Sequence, residues 1–127
     1  MEPMQFSIRL ADFDLKLLPI DKDVLASDPD MLRQAVTGFF TEEFKKLGGR
    51  AEIAVKNDEV TVQWFPASLA GREAIVGYSL QLLRQGAYNS VEPILKAILK
   101  QFPDDMPTIL NYGMFTHGTV SNVGVDA

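Results

Sequence analysis

The chain has no cysteine in its 127 residues. That excludes a disulfide framework, a thiolate nucleophile and any cysteine-based metal site. Histidine occurs once, as His117, between Thr116 and Gly118 and with no second histidine at ligand spacing. An isolated histidine in such a polar stretch reads as a surface residue, not as a ligand or a general base. Basic residues are in deficit, 12 Lys and Arg against 17 Asp and Glu, for a net charge of −5. The deficit argues against nucleic acid as a partner, because backbone binding depends on cationic neutralisation of phosphate. It argues equally against an anionic membrane surface. No run approaches the roughly 18 apolar residues of a membrane span. The first residues, Glu2 and Pro3 among them, carry no basic segment ahead of an apolar run, so no secretory signal is read there. The expected location is cytoplasmic.

Paired acids are present at Asp12/Asp14, Asp21/Asp23, Asp28/Asp30 and Asp104/Asp105. None continues into the glycine and distal glutamate of a calcium-binding loop. Asp28, Asp30 and Asp105 are explained more simply as helix-start residues. Gly48-Gly49 has neither a following Lys-Ser nor a G-x-G-x-x-G context, and Ser68 and Ser79 have no adjacent base, so neither a phosphate loop nor a serine nucleophile is supported. The sequence predicts no catalytic residues, no cofactor and no metal.

What is there is an ordinary globular composition, 46% hydrophobic and 23% charged. Phe6, Ile8 and Leu10 alternate with Ser7 and Arg9, a period of two that predicts a strand with one buried face. Residues 12–23 read as an ordered connector with an apolar cluster at Leu15, Leu17, Leu18 and Ile20, where Pro19 holds Leu18 extended. Ser27-Asp28-Pro29-Asp30 starts a helix whose apolar face runs through Met31, Leu32, Ala35, Val36, Phe39, Phe40, Phe44 and Leu47, and Gly48-Gly49 ends it. Residues 51–56 and 59–65 flank Asn57-Asp58, a two-residue hairpin turn. Pairing outward from the turn sets Val55 against Val60, Ile53 against Val62 and Ala51 against Trp64. Lys56 then meets Glu59, and Glu52 meets Gln63, on the polar face.

Residues 73–115 organise the rest. Ile75, Val76, Tyr78, Leu80, Leu82 and Leu83 cover more than one stripe of a first helix, which therefore needs contacts on two sides. Gly86 ends it. Asn89 is the expected N-cap of a second helix, with Glu92 in capping-box position, Pro93 in the first turn and Ser68 available to cap the first helix. Val91, Ile94, Leu95, Ile98, Leu99 and Phe102 keep one apolar face, and Pro103 stops the helix. Asp105-Met106-Pro107 opens a third helix with Ile109, Leu110, Tyr112 and Phe115 as apolar positions.

The run IVGYSLQLLRQGAYNSVEPILKAILKQFPDD (residues 75–105) resembles a tetratricopeptide repeat (TPR). Gly86 and Tyr88 match that family's turn, Pro103 its terminal proline and Leu95 the large packing position of its second helix. Ile109, Asn111, Tyr112 and Gly113 match the opening of a following repeat, 34 residues after Ile75 and Tyr78, which is the family's period. Val91 and Ile98 stand where small residues are usual, and Ile75 where tryptophan is. The residues after Phe115 contain no second turn and no second helix of a repeat. The resemblance covers about a third of the chain. A carboxylate clamp of the kind some TPR domains use is not expected: Asn111 fits it, but Val76 and Leu80 cannot supply donors.

The expected architecture is α+β, with a β-α-β-β unit over residues 1–71, a TPR-like hairpin and the start of a further helix over 72–115, and a tail over 116–127. In the tail, Val120, Val123 and Val125 are read either as an extra strand or as part of a disordered end. The resemblance implies a non-catalytic, adaptor- or chaperone-type module that binds a protein partner. The expected contact residues are Tyr88, Tyr112, Met114 and Phe115, where an incomplete second repeat leaves apolar surface. The alternatives are a homo-oligomer in which another copy completes the repeat, and a small-molecule-binding domain with a pocket between the sheet and helix 31–47.

Overall fold

Period-two alternation in the first residues becomes strand β1 (Met4–Arg9), with Met4, Phe6 and Ile8 buried and Gln5, Ser7 and Arg9 exposed. The computed structural model describes residues 2–68 and 70–113. After β1 come two short 3-10 turns, α1 (Lys22–Ser27), α2 (Pro29–Leu47), β2 (Arg50–Lys56), β3 (Glu59–Phe65), α3 (Gly71–Arg84), α4 (Tyr88–Gln101) and α5 (Met106–Gly113). The class is α+β. Met114, Phe115, His117 and the tail valines lie outside the described residues.

The sheet is antiparallel with order β1-β3-β2. The hairpin has the register its alternation dictates: Val55 opposite Val60, Ile53 opposite Val62 and Ala51 opposite Trp64. Asn57 takes the positive φ, 58°, that the tight turn requires. β1 adds to the other side of β3, with Phe6 opposite Val62 and Met4 opposite Trp64, so three rows of apolar side chains share one face. The opposite face is polar, and Ser7 and Thr61 hydrogen-bond across it at 2.9 Å.

Two helices cover the apolar face: α2 lies along β2, and α4 along β1. α2 contributes the stripe Val36, Phe40 and Phe44. Val91, Ile94, Leu95 and Ile98 of α4 complete the cover. α3 packs on α4 and α2, burying Ile75, Tyr78 and Leu82. Val76, Leu80 and Leu83, the other apolar side of α3, are half-buried. Residues before and after position 71 join one hydrophobic core.

At the α2–β2 junction, Gly49 has φ 85°, and a Cβ there would lie 2.0 Å from the Phe65 carbonyl oxygen. Only glycine permits that approach. Its neighbour Gly48 offers its carbonyl to the Trp64 indole N–H at 2.9 Å, so the core's one tryptophan is also satisfied polar-end first.

Three local expectations are corrected. Residues 12–23 are not all connector: Lys22–Ser27 is helical, with Asp21 accepting from the Asp23 N–H at 2.7 Å. Ser68 accepts from the Ala70 N–H, forming a turn ahead of α3, and does not cap the helix, whose N-cap is Ala70. Most instructive, α4 begins at Tyr88, one residue before Asn89, and Pro93 sits inside the helix, not in its first turn. Position 93 therefore gives Asn89 no intrahelical N–H partner for its carbonyl. The N-cap, Ala87, has no side chain able to serve.

The missing cap comes from the far end of the chain. The Asp14 carboxylate accepts from the Ser90 N–H at 2.8 Å, and the Ser90 hydroxyl accepts from the Asp14 N–H at 2.8 Å. This is the reciprocal pattern of a capping box, with the capping partner supplied from a distant segment. Two residues on, the Lys16 ammonium donates to the Gly86 carbonyl at 2.9 Å, satisfying an acceptor at the end of α3. The connector is thus fastened to both sides of the α3–α4 turn.

Candidate protein-interaction surface

α3 and α4 are joined by three residues, 85–87. So short a link folds the second helix back along the first. Gly86, at φ 76°, makes the reversal. α5 follows after residues 102–105 and packs on α4 and α3.

α5 is held by its first turn. The Asp105 carboxylate accepts from the Thr108 N–H at 3.2 Å and from its hydroxyl at 2.6 Å. Its other oxygen accepts from Arg72 of α3, Nε at 3.0 Å and Nη2 at 2.9 Å. The same guanidinium lies 4.5 Å from the centroid of the Phe102 ring, a cation–π arrangement. Burial works to raise the Asp105 pKa, but the bonds from Thr108 and Arg72 outweigh it and hold the carboxyl below its ordinary range.

The sign of the pH dependence follows. A depressed carboxyl stabilises the fold above its unfolded pKa, and that contribution is lost as pH falls through the folded value. Asp105→Asn is expected to cost about 1 kcal/mol at neutral pH, since asparagine still caps but loses the charge-assisted bonds. The gap from wild type should narrow below about pH 4, where the unfolded carboxylate begins to protonate. Urea unfolding at several pH values measures it, and a gap that stays constant down to pH 2.5 would refute this role.

So anchored, α5 presents Met106, Ile109 and Leu110 to solvent, at 59%, 39% and 61% exposure. No residue of α5, MPTILNYG, is charged. Of the side chains expected to meet a partner, Tyr88 is exposed and Tyr112 is half-buried, packed against the core. Tyr88 opens α4, whereas α5 begins beyond its other end, about 20 Å along the axis of a 14-residue helix. The structure therefore puts Tyr88 at one end of the hairpin and the start of α5 at the other. Met106 carried no sequence signal beyond its place at a helix start. Its exposure follows from α5 docking through Thr108 and Tyr112 instead.

A second surface feature is a cleft of about 240 Å³ between β1 and α4, lined by Gln5, Phe6 and Ser7 on one side and Pro93, Lys96, Ala97 and Lys100 on the other. A larger open notch, about 380 Å³, lies at the hairpin end among Arg9, Lys56, Asn57, Asp58 and Glu59, where charges of both signs are present.

Among the described residues no group of three or more His, Cys, Asp or Glu is placed to hold a metal ion. Nor is any helix there long and apolar enough to cross a membrane. The Tyr78 hydroxyl is buried with no hydrogen bond of good geometry among the described residues, although the Glu43 carboxylate lies close enough to interact with it. Burial first, and the nearby Glu43 carboxylate second, push the phenol's pKa up, so it stays protonated at neutral pH.

No family model, curated protein or solved structure matches the chain.

Proposed function

We propose that this chain is a non-catalytic protein-interaction module that presents a TPR-like helical surface. The observation that carries this reading is the uncharged, exposed face of α5, Met106, Ile109 and Leu110, on a helix that is itself firmly anchored by Asp105 and Arg72. Exposed apolar side chains grouped on a fixed scaffold are the usual form of a docking patch. The TPR comparison gains support from two helices of 14 residues, the tight turn at Gly86, and a third helix that follows them. It loses support from the sheet, because α4 spends its apolar face on β1 and not on a neighbouring repeat.

The test is partner capture followed by crosslinking and mass spectrometry, with wild type beside Leu110→Asp. Leu110 is largely exposed, so the substitution should change stability by no more than about 0.5 kcal/mol, checked by thermal unfolding. Loss of at least about 90% of a specific partner from the folded variant is expected, a tenfold weakening equivalent to about 1.4 kcal/mol. Undiminished capture would remove α5 from the reading. The same face favours a second reading, self-association, since an uncharged apolar patch can meet its own copy about a twofold axis. Light scattering across concentration separates the two: wild-type dimers that Leu110→Asp abolishes support self-association.

A further inference from the structure

We propose that the outer edge of β1 accepts an extended acidic segment of a partner protein, which adds as a fourth strand in the cleft between β1 and α4. The proposal rests on the reading of the chain as an interaction module, but on a surface separate from α5. Among the described residues, the sheet order β1-β3-β2 gives β1 a strand neighbour on one side only. Edge strands are normally protected by charge, proline or a bulge. The other edge is so protected: β2 carries Arg50, Glu52 and Lys56, with Arg50 and Glu52 ion-paired. β1, MQFSIR, has no proline and pairs with β3 without a bulge, and its single charge is Arg9 at the very end.

What the edge opens onto selects the occupant. The cleft is smaller than the roughly 300–1,000 Å³ of small-molecule sites and open along its length, which suits a chain segment. Its α4 wall has Pro93 and Ala97 one turn apart, then Lys96 and Lys100 one turn apart, and no carboxylate lines it. Lys96 has Glu92 at 3.8 Å, an exposed pair of little worth. Lys100 has no ion pair among the described residues. In a chain of net charge −5, this wall is locally cationic.

The spacing matches a strand. Residues four apart on a helix rise about 6 Å, and residues two apart on a strand, which share a face, are about 6.8 Å apart. An acid-x-acid pattern therefore sets both carboxylates opposite Lys96 and Lys100, while the alternate side chains turn to the other face of the sheet and backbone groups pair with β1. A second copy fits poorly. Pairing β1 with β1 about a twofold perpendicular to the sheet brings both α4 helices to the same face, lysines against lysines.

The probe is the capped peptide acetyl-Thr-Glu-Val-Glu-Val-amide, titrated to about 1 mM into the 15N-labelled full chain and followed by amide shifts. Changes are expected at residues 5–9 and 96–100, weakened about tenfold or more by the exposed double change Lys96→Glu/Lys100→Glu, and about tenfold or more by replacing the peptide's glutamates with lysines. Leu110→Asp should leave the titration unaltered, which separates this cleft from the α5 patch. Any one of four results overturns the proposal: no change at these amides, equal binding of the lysine peptide, binding indifferent to the double change, or a dimer crosslinked from β1 to β1.

Discussion

Phe44→Ala is expected to cost about 3–5 kcal/mol, the range for truncating a fully buried aromatic residue, out of the 5–15 kcal/mol that holds a domain of this kind together. Phe44 is completely buried. Its ring centroid lies 5.7 Å from those of Phe6, Trp64 and Tyr78 and 6.2 Å from that of Phe40. Those partners belong to β1, β3, α3 and its own helix α2, so this one ring joins α2 to three other elements. A cavity at such a junction cannot close by the movement of a single element, which places the cost toward the upper end. Phe39, on the same helix but half-buried and with ring pairs to Phe13 and Phe40, serves as the comparison and should cost clearly less. Urea unfolding measures both. A loss under about 1 kcal/mol for Phe44→Ala would mean that the aromatic cluster is not the centre of the fold.

The second expected effect concerns the distant cap. Asp14→Ala should cost about 1–2 kcal/mol, the usual penalty for removing an N-cap, increased by the burial of the stranded group. Ser90 is almost wholly buried, and its N–H has no other hydrogen-bond route once the carboxylate is gone. The two bonds form a closed ring, so removal of either partner should loosen the other. A double-mutant cycle with Ser90→Ala is therefore expected to give a coupling energy of at least about 1 kcal/mol. Hydrogen exchange should report faster opening in the first turn of α4 in either single variant. Strictly additive costs would show that the two bonds are independent.

The legible parts of this chain were those whose cause is local. The β2–β3 register follows from Asn57-Asp58 and a period of two, and α2 follows from Asp28-Pro29 at one end and Gly48-Gly49 at the other. The misread start of α4 has the opposite origin. Asn89 and Glu92 satisfy the local capping rule, but Ser90 already has a better acceptor in Asp14, 76 residues away. No window on the sequence contains both. α1 leaves little trace in sequence, because six residues stabilised by one Asp21 bond carry little periodic signal. The candidate surfaces were legible only in part. Ile109 and Leu110 read as apolar helix positions, but whether such positions face core or solvent depends on how Asp105 meets Arg72, a contact between different helices. The β1–α4 cleft left no trace in sequence, because nothing local says that β1 joins the outer side of β3.

The fastening of residues 14 and 16 to residues 90 and 86 bears on the order in which the molecule assembles. The hairpin β2–β3 closes a two-residue loop and can form as soon as both strands exist. β1 has no such neighbour; its partners lie about 50 to 60 residues downstream, and the α4 cap closes a still longer circuit. Large loops must be closed before those contacts return any stability, so the early part of the chain joins the structure late, and folding is slowed relative to a simple helical hairpin. A ribosome delivers Asp14 well before Ser90, and through that interval the first strand has a template only once β3 has emerged. The segment made first is thus among the last to be locked in place, and it locks the final helical hairpin as it arrives.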